Sequence, residues 1–293
     1  MKTLFKLMDL KTLVAGLIPV IFGSIYSLYR YNEFSIVDMV VIMIGIVLLQ
    51  SCTNMINDLY DHKRGADGDL KVDEKALASG DVSVKQVKHI IYTFLSIDIV
   101  IALYYSFVNH FAIFIIALIA VFIMYKYSAG QKPISYTPFG ELVAGSTMGF
   151  GIMTTVIFIQ SGYVNVETFM VALPTSIFIG TILLTNNISD HEADEAVGRR
   201  TLPIIIGIKK AEWLWIANCF SLLGLTCLFV AYGLFPLESL FLTVLLLPYK
   251  QIIGFRNIEK RPTNKGIMMG LIGKVGLRFH LGIMVGIIVS MYV

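Results

Sequence analysis

The sequence predicts an all-α protein, a polytopic membrane helix bundle of about nine transmembrane helices, on three observations. Hydrophobic residues make up 56% of the chain against 15% charged, with a mean hydropathy of +0.77. That is more apolar surface than one soluble core can hide, so lipid is its expected solvent. Apolar runs near the roughly 20 residues that a helical crossing needs recur along all 293 positions. Polar residues gather instead in four stretches, 58–86, 126–138, 190–212 and 250–264.

The expected spans are 13–28, 36–57, 87–108, 112–127, 140–159, 168–187, 213–232, 237–247 and 267–292. The eighth is short and the fourth only just sufficient. Lys274, Arg278 and His280 interrupt the ninth, whose first half is expected along the membrane surface or lining the interior. The first run follows Lys2 and Lys6 as a signal peptide would, yet it continues through Gly16, Gly23 and Tyr26 without a small-x-small cleavage site. It reads as a retained span. Cys52, Cys219 and Cys227 lie in apolar spans without CxxC spacing and suggest packing alone.

Cationic residues beside the spans orient a membrane chain. Lys2, Lys6 and Lys11, the loops after even-numbered spans, and Lys274 and Arg278 together hold 22 of the 23 Lys and Arg residues, leaving only Arg30 opposite. A cytoplasmic N-terminus, an external C-terminus and cytoplasmic polar loops in the cell membrane follow as expectations. The other turns are brief, so any chemistry is expected on the cytoplasmic face.

The first acidic stretch runs from Asn54 through Asn57, Asp58 and Asp61 to Gly65, Asp67 and Asp69. It starts inside an apolar span, where polar side chains facing lipid are costly and therefore point inward. The pairs Asn54/Asp58 and Asn57/Asp61 are four apart, which sets their oxygens on one helical stripe. Hard oxygen ligands suit Mg²⁺, which takes one or two carboxylates together with substrate phosphates. A charged helix end meeting water accounts for one such cluster about equally well, and Arg64 is either a phosphate partner or an orienting charge.

The second stretch, Thr185 to Pro203, holds Asn186, Asn187, Asp190, Asp194, Arg199 and Arg200. Asp190 and Asp194 share a face, whereas Glu192 and Glu195 fall off it into solvent. Asn57-xxx-Asp61 overlays Asn186-xxx-Asp190 at an offset of 129 residues, a weak internal repeat that divides one domain, 1–293, into halves near 1–160 and 161–293. Guanidiniums beside carboxylates suggest a metal-bridged anion. Metal ions that neutralise a diphosphate leaving group let an allylic C–O bond break.

The loop from Tyr125 to Leu142 carries Lys126 and Lys132, which read either as diphosphate or carboxylate contacts or as orienting charges. Glu141, at the start of an apolar span, is a costly placement for an ionisable group. The five histidines show no zinc spacing and are read as non-ligands.

With these motifs in order, the chain resembles the UbiA superfamily of intramembrane prenyltransferases over nearly its whole length. The form NDxxDxxxGxD at Asn57, Asp58, Asp61, Gly65 and Asp67 is similar to the 1,4-dihydroxy-2-naphthoate polyprenyltransferase branch, as are Lys132-Pro133-Ile134-Ser135-Tyr136, Gly140-Glu141-Leu142 and the stretch Asn186 to Leu202. Lys75 departs from the arginine-proline start usual in the family.

The resemblance implies a nine-helix bundle around a central cavity, Mg²⁺ dependence, and a polyprenyl diphosphate and an aromatic acceptor as partners, with no nucleic acid. It also implies roles for individual residues. Asn57, Asp58, Asp61, Asp67, Asp190 and Asp194 would hold metal, with Asp61, Asp190 and Asp194 central to catalysis. Asn54, Asn57, Lys126, Lys132, Asn187, Arg199 and Arg200 would contact substrate. Prenylation of 1,4-dihydroxy-2-naphthoate with loss of carbon dioxide, giving a demethylmenaquinone, is the implied reaction. Another acceptor (4-hydroxybenzoate, homogentisate or haem) and a cation-coupled transporter are the alternatives.

Overall fold

Long apolar stretches satisfy their backbone hydrogen bonds in lipid only as helices or closed barrels. The computed structural model describes residues 2–64 and 76–293, and regular structure among them is entirely helical. The helices are α1 (Lys2–Met8), α2 (Leu10–Tyr31), α3 (Ile36–Lys63), α4 (Val84–Val108) and α5 (Ala112–Ser128). Next, α6 (Gly140–Ala144) runs through a π-helical stretch, Gly145–Gly151, into α7 (Ile152–Ser161). The remainder are α8 (Val166–Ala196), α9 (Leu202–Ile206), α10 (Ile208–Ala231), α11 (Leu237–Leu246), α12 (Tyr249–Gly254) and α13 (Lys265–Ser290).

Where nine spans were expected, the described residues carry seven helices long and apolar enough to cross a membrane, or eight if the pair Leu237–Leu246 and Tyr249–Asn257, bent by 51°, is one broken span. The remaining expected span, the fourth, is α5, an apolar helix whose 17 residues stand at the lower limit of what a crossing needs. The last span is one continuous helix, α13, and its first half lines the interior, one of the two placements expected, through buried Met268, Leu271, Ile272 and Val275. His280 faces inward at 1% exposure, bonded to Thr175 Oγ1 (3.2 Å) and the Gly276 carbonyl (2.8 Å), while Lys274 and Arg278 lie one turn apart on the exposed side. The cysteines are free thiols, Cys52 and Cys219 buried and Cys227 exposed.

The chain divides into two compact units, Met1–Leu17 with Ile36–Ile134, and Ile18–Ser35 with Ser135–Val293. In the first, α3 buries Cys52, Met55, Ile56 and Leu59 against Val87 and Ile91 of α4, Met124 of α5 and Leu7 of α1. A capping box of Ser83 and Gln86 starts α4. Lys6 Nζ reaches Ser79 Oγ and Asp81 Oδ2, both at 3.1 Å. The Ser79 hydroxyl, then Lys6, hold the Asp81 carboxyl below its ordinary range. A depressed carboxyl adds stability at neutral pH that disappears as pH falls through the lowered value, and the exposure of Asp81 keeps that contribution slight.

The second unit is organised on α8, against which α6, the π-helical stretch, α7, α9, α10 and α13 pack. Lipid is as apolar as leucine, so close van der Waals approach must hold helices together there. Gly145 and Gly149 provide it. A Cβ on Gly145 would stand 2.6 Å from the Ser176 carbonyl oxygen, and one on Gly149 would overlap Ser176 Cα. Gly149→Val is therefore expected to lower stability by about 1–3 kcal/mol through overpacking. Gly224→Ala, at a helix position with open space around it, should cost nothing. Thermal unfolding in detergent measures both. Arg30, the single cation expected opposite the rest, pairs with Glu167 in the first turn of α8 through Nε–Oε2 and NH2–Oε1 contacts of 2.9 Å.

Candidate metal and diphosphate site

Both acidic stretches end long helices. Asp58 and Asp61 lie in the last two turns of α3, and Asp190 and Asp194 in the last two turns of α8. Carboxylates at a helix C-terminus oppose the macrodipole, at about 0.3–1 kcal/mol each when exposed. Residues placed against their own helix need compensating positive charge from elsewhere.

At the end of α3, Asp61 is 8% exposed, Asp58 half-buried and Asn57 exposed. Asn57 Oδ1 accepts from Ser128 Oγ at 3.2 Å. The Arg64 guanidinium donates to the Ser128 and Gly130 carbonyls at 2.9 and 2.8 Å, and the Tyr60 and Tyr125 hydroxyls meet at 3.0 Å. Arg64 thus clamps the C-terminus of α5 to that of α3. Lys126, before the clamped carbonyls in the chain, and Lys132, after them, are exposed. The Asn54 amide donates to the Met8 carbonyl (2.8 Å) and Thr12 Oγ1 (2.9 Å), which commits its N–H groups to the N-terminal helices. Asp67 lies outside the described residues, as does Lys75.

At the end of α8, Asn187, Asp190 and Asp194 are 7%, 5% and 6% exposed. Asp190 Oδ2 meets Lys265 Nζ at 2.6 Å, and its Oδ1 accepts from Ser189 Oγ at 3.2 Å. Asp194 Oδ1 pairs with Arg199 at 3.1 Å. Gly198, at φ +80°, lets the chain turn back so that the Arg199 N–H bonds the Asp194 carbonyl at 2.9 Å. The Arg199 guanidinium lies 4.8 Å from the Tyr136 ring centre, and the Arg200 N–H donates to the Tyr136 carbonyl at 2.9 Å. The Arg200 side chain is exposed, as are Glu192 and Glu195. Asn187 Nδ2 donates to Glu141 Oε1 at 2.8 Å, and Glu141 Oε2 is buried without a hydrogen-bond partner among the described residues. Trp215 Nε1 donates to Thr185 Oγ1 at 2.7 Å, fixing α10 on α8 just before this cluster.

Lys265 is the site residue that sequence reasoning missed. It lies 75 positions from Asp190, and beside a basic loop nothing in its neighbourhood distinguishes it from an orienting charge. Tyr136 falls within a noted motif, but its place beneath Arg199 has no spacing signature.

The residues fit Mg²⁺. Among the described residues, no three His, Cys, Asp or Glu side chains gather closely enough to hold a metal alone. Mg²⁺ needs no such cage, because phosphate oxygens and water complete its shell around one or two carboxylates. Asp190 and Asp194, one turn apart on one face and each already against a cation, have that geometry.

Comparison with known proteins bears on the same residues. The chain matches the UbiA prenyltransferase family over residues 16–269. A 1,4-dihydroxy-2-naphthoate octaprenyltransferase of Bacillus subtilis is 32% identical over 71% of this chain and 67% of its own length. One of Haemophilus influenzae is 23% identical over 94% of each. The fold is similar to that of a UbiA homologue from Archaeoglobus fulgidus, solved bound to GPP and Mg²⁺, with a TM-score of 0.66 at 17% identity over 94% of this chain and 99% of that one. Fold and relatives together define a prenyltransferase built as a multi-pass integral membrane protein. The chain belongs to the UbiA prenyltransferase family.

Proposed function

We propose that the protein transfers a polyprenyl group from a prenyl diphosphate to 1,4-dihydroxy-2-naphthoate in a Mg²⁺-dependent reaction, giving a demethylmenaquinone. The observation that carries the chemistry is the buried pair Asp190 and Asp194, each held against a cation at the end of α8. The names of the Bacillus and Haemophilus relatives support the acceptor. The Mg²⁺ in the Archaeoglobus structure supports the metal.

Bound Mg²⁺ supplies charge neutralisation for the departing diphosphate. Asp58, Asp61 and Asn57 on α3, and Asp190 and Asp194 on α8, would hold that metal, and Asp67, which the resemblance adds to them, lies outside the described residues. The resemblance of the sequence motifs assigns both acidic stretches to one diphosphate. Arg199, Arg200, Lys126 and Lys132 take its remaining oxygens, Arg199 through a fork suited to two of them. Asn187, its amide held by Glu141, and Asn54, its amide held by Met8 and Thr12, contact the substrate through their remaining oxygens. The prenyl tail occupies apolar space from which water is excluded, so the allylic cation meets the naphthoate ring first. The distribution of Lys and Arg supports a reading with the N-terminus and these loops in the cytoplasm and the C-terminus outside.

Turnover of a prenyl diphosphate by purified protein with 1,4-dihydroxy-2-naphthoate, 4-hydroxybenzoate, homogentisate or haem tests the acceptor. Prenylated naphthoate with matching diphosphate release is expected. Turnover of 4-hydroxybenzoate alone would overturn the choice, and ion-driven solute uptake into liposomes without diphosphate release would favour a transporter.

A further inference from the structure

Lys265 opens α13, and Asp190 lies near the close of α8. A cation in the first turn of one helix and an anion in the last turns of another each oppose the local dipole. No acidic residue offsets Lys265 within the first turn of its own helix. The two are nevertheless joined at 2.6 Å, with the Asp190 side chain 7% exposed and that of Lys265 33% exposed. The carboxylate is fixed by burial and by Ser189, whereas the ammonium sits on a flexible four-carbon stem that reaches water. Of the two partners, only the lysine is free to swing. A lysine, unlike an arginine, is a compact point charge with three rotatable donors, able to exchange one anion for another without refitting a planar fork.

We propose that Lys265 is a transferable counter-ion. It occupies the Asp190 carboxylate while metal is absent, and when a divalent cation takes Asp190 the ammonium moves onto the diphosphate that arrives with it. This rests on the metal and diphosphate reading of the α8 cluster and adds to it a positioning residue on α13. Two consequences of opposite sign follow. As a competitor for Asp190, Lys265 weakens metal binding when no diphosphate is present. As a donor to the diphosphate, it strengthens diphosphate binding when metal is present. A merely structural ion pair gives neither, because its loss would loosen the α8 cluster and weaken both together.

The test uses the full chain in detergent. Mn²⁺ affinity is measured by electron paramagnetic resonance without diphosphate, and inorganic pyrophosphate affinity by calorimetry at saturating Mg²⁺, for wild type, Lys265→Gln, Lys265→Arg and Asp190→Asn. Lys265→Gln is expected to tighten Mn²⁺ severalfold and to weaken pyrophosphate by about 10-fold or more, the worth of one charge-assisted hydrogen bond. Lys265→Arg is expected to retain most of the pyrophosphate affinity. Unchanged pyrophosphate affinity in Lys265→Gln, or parallel weakening of both ligands, would overturn the proposal. Asp190→Asn separates the two levels: wild-type Mn²⁺ binding there removes the metal reading itself, whereas lost Mn²⁺ binding beside an inert Lys265→Gln removes only the transfer.

Discussion

Asp190→Asn is expected to lower kcat/KM for prenyl transfer by about 10³-fold, about 4 kcal/mol of transition-state stabilisation, and Asp61→Asn by a similar factor. The substitution keeps the shape of the side chain and removes one anionic oxygen ligand. Asp190 is buried and cannot be replaced by a neighbour, since Glu192 and Glu195 point into solvent. Folding should be nearly unaffected. The lost charge opposed the α8 dipole, and Lys265, a third exposed, can turn to water. Steady-state kinetics beside a thermal melt check the two halves, and wild-type rates in either variant would remove the assigned roles.

Trp215→Ala is the largest expected effect on stability, about 3–5 kcal/mol. The indole is fully buried, stacked on Phe255 with ring centres 3.9 Å apart and planes at 9°, and bonded to Thr185. Its removal leaves a cavity and an unfilled acceptor two residues before Asn187. Trp215→Phe keeps the stack and gives up the hydrogen bond, so about 1 kcal/mol is expected. Unfolding of both variants in detergent distinguishes the cavity from the bond, and an Ala variant as stable as wild type would show that this contact does not hold α10 to α8.

Periodicity made some of this legible before any coordinates. The four-residue spacing of Asp190 and Asp194 set both on one face of α8, and both are buried there, while Glu192 and Glu195, read as off that face, are exposed. The same rule explains α13. Its charges looked like an interruption, but His280 falls on the face packed by Phe178 and Phe279, whereas Lys274 and Arg278 fall on the other.

What stayed hidden depends on contacts between residues far apart in the chain. The four-residue spacing sets Asn54 on the stripe of Asp58, but that its amide N–H groups go to Met8 and Thr12 is something no periodicity reveals. Lys265 belongs to the Asp190 cluster only because α13 begins where α8 ends.

The measurement closest to the central proposal is a double-mutant cycle on ligand binding. Mn²⁺ affinity in the presence of inorganic pyrophosphate would be determined for wild type, Asp61→Asn, Asp190→Asn and the double variant. If both acidic stretches serve one metal-bound diphosphate, each single variant loses most of the binding and the double is no weaker than the worse single. Independent losses that multiply in the double variant would mean two unrelated sites and would contradict the proposal.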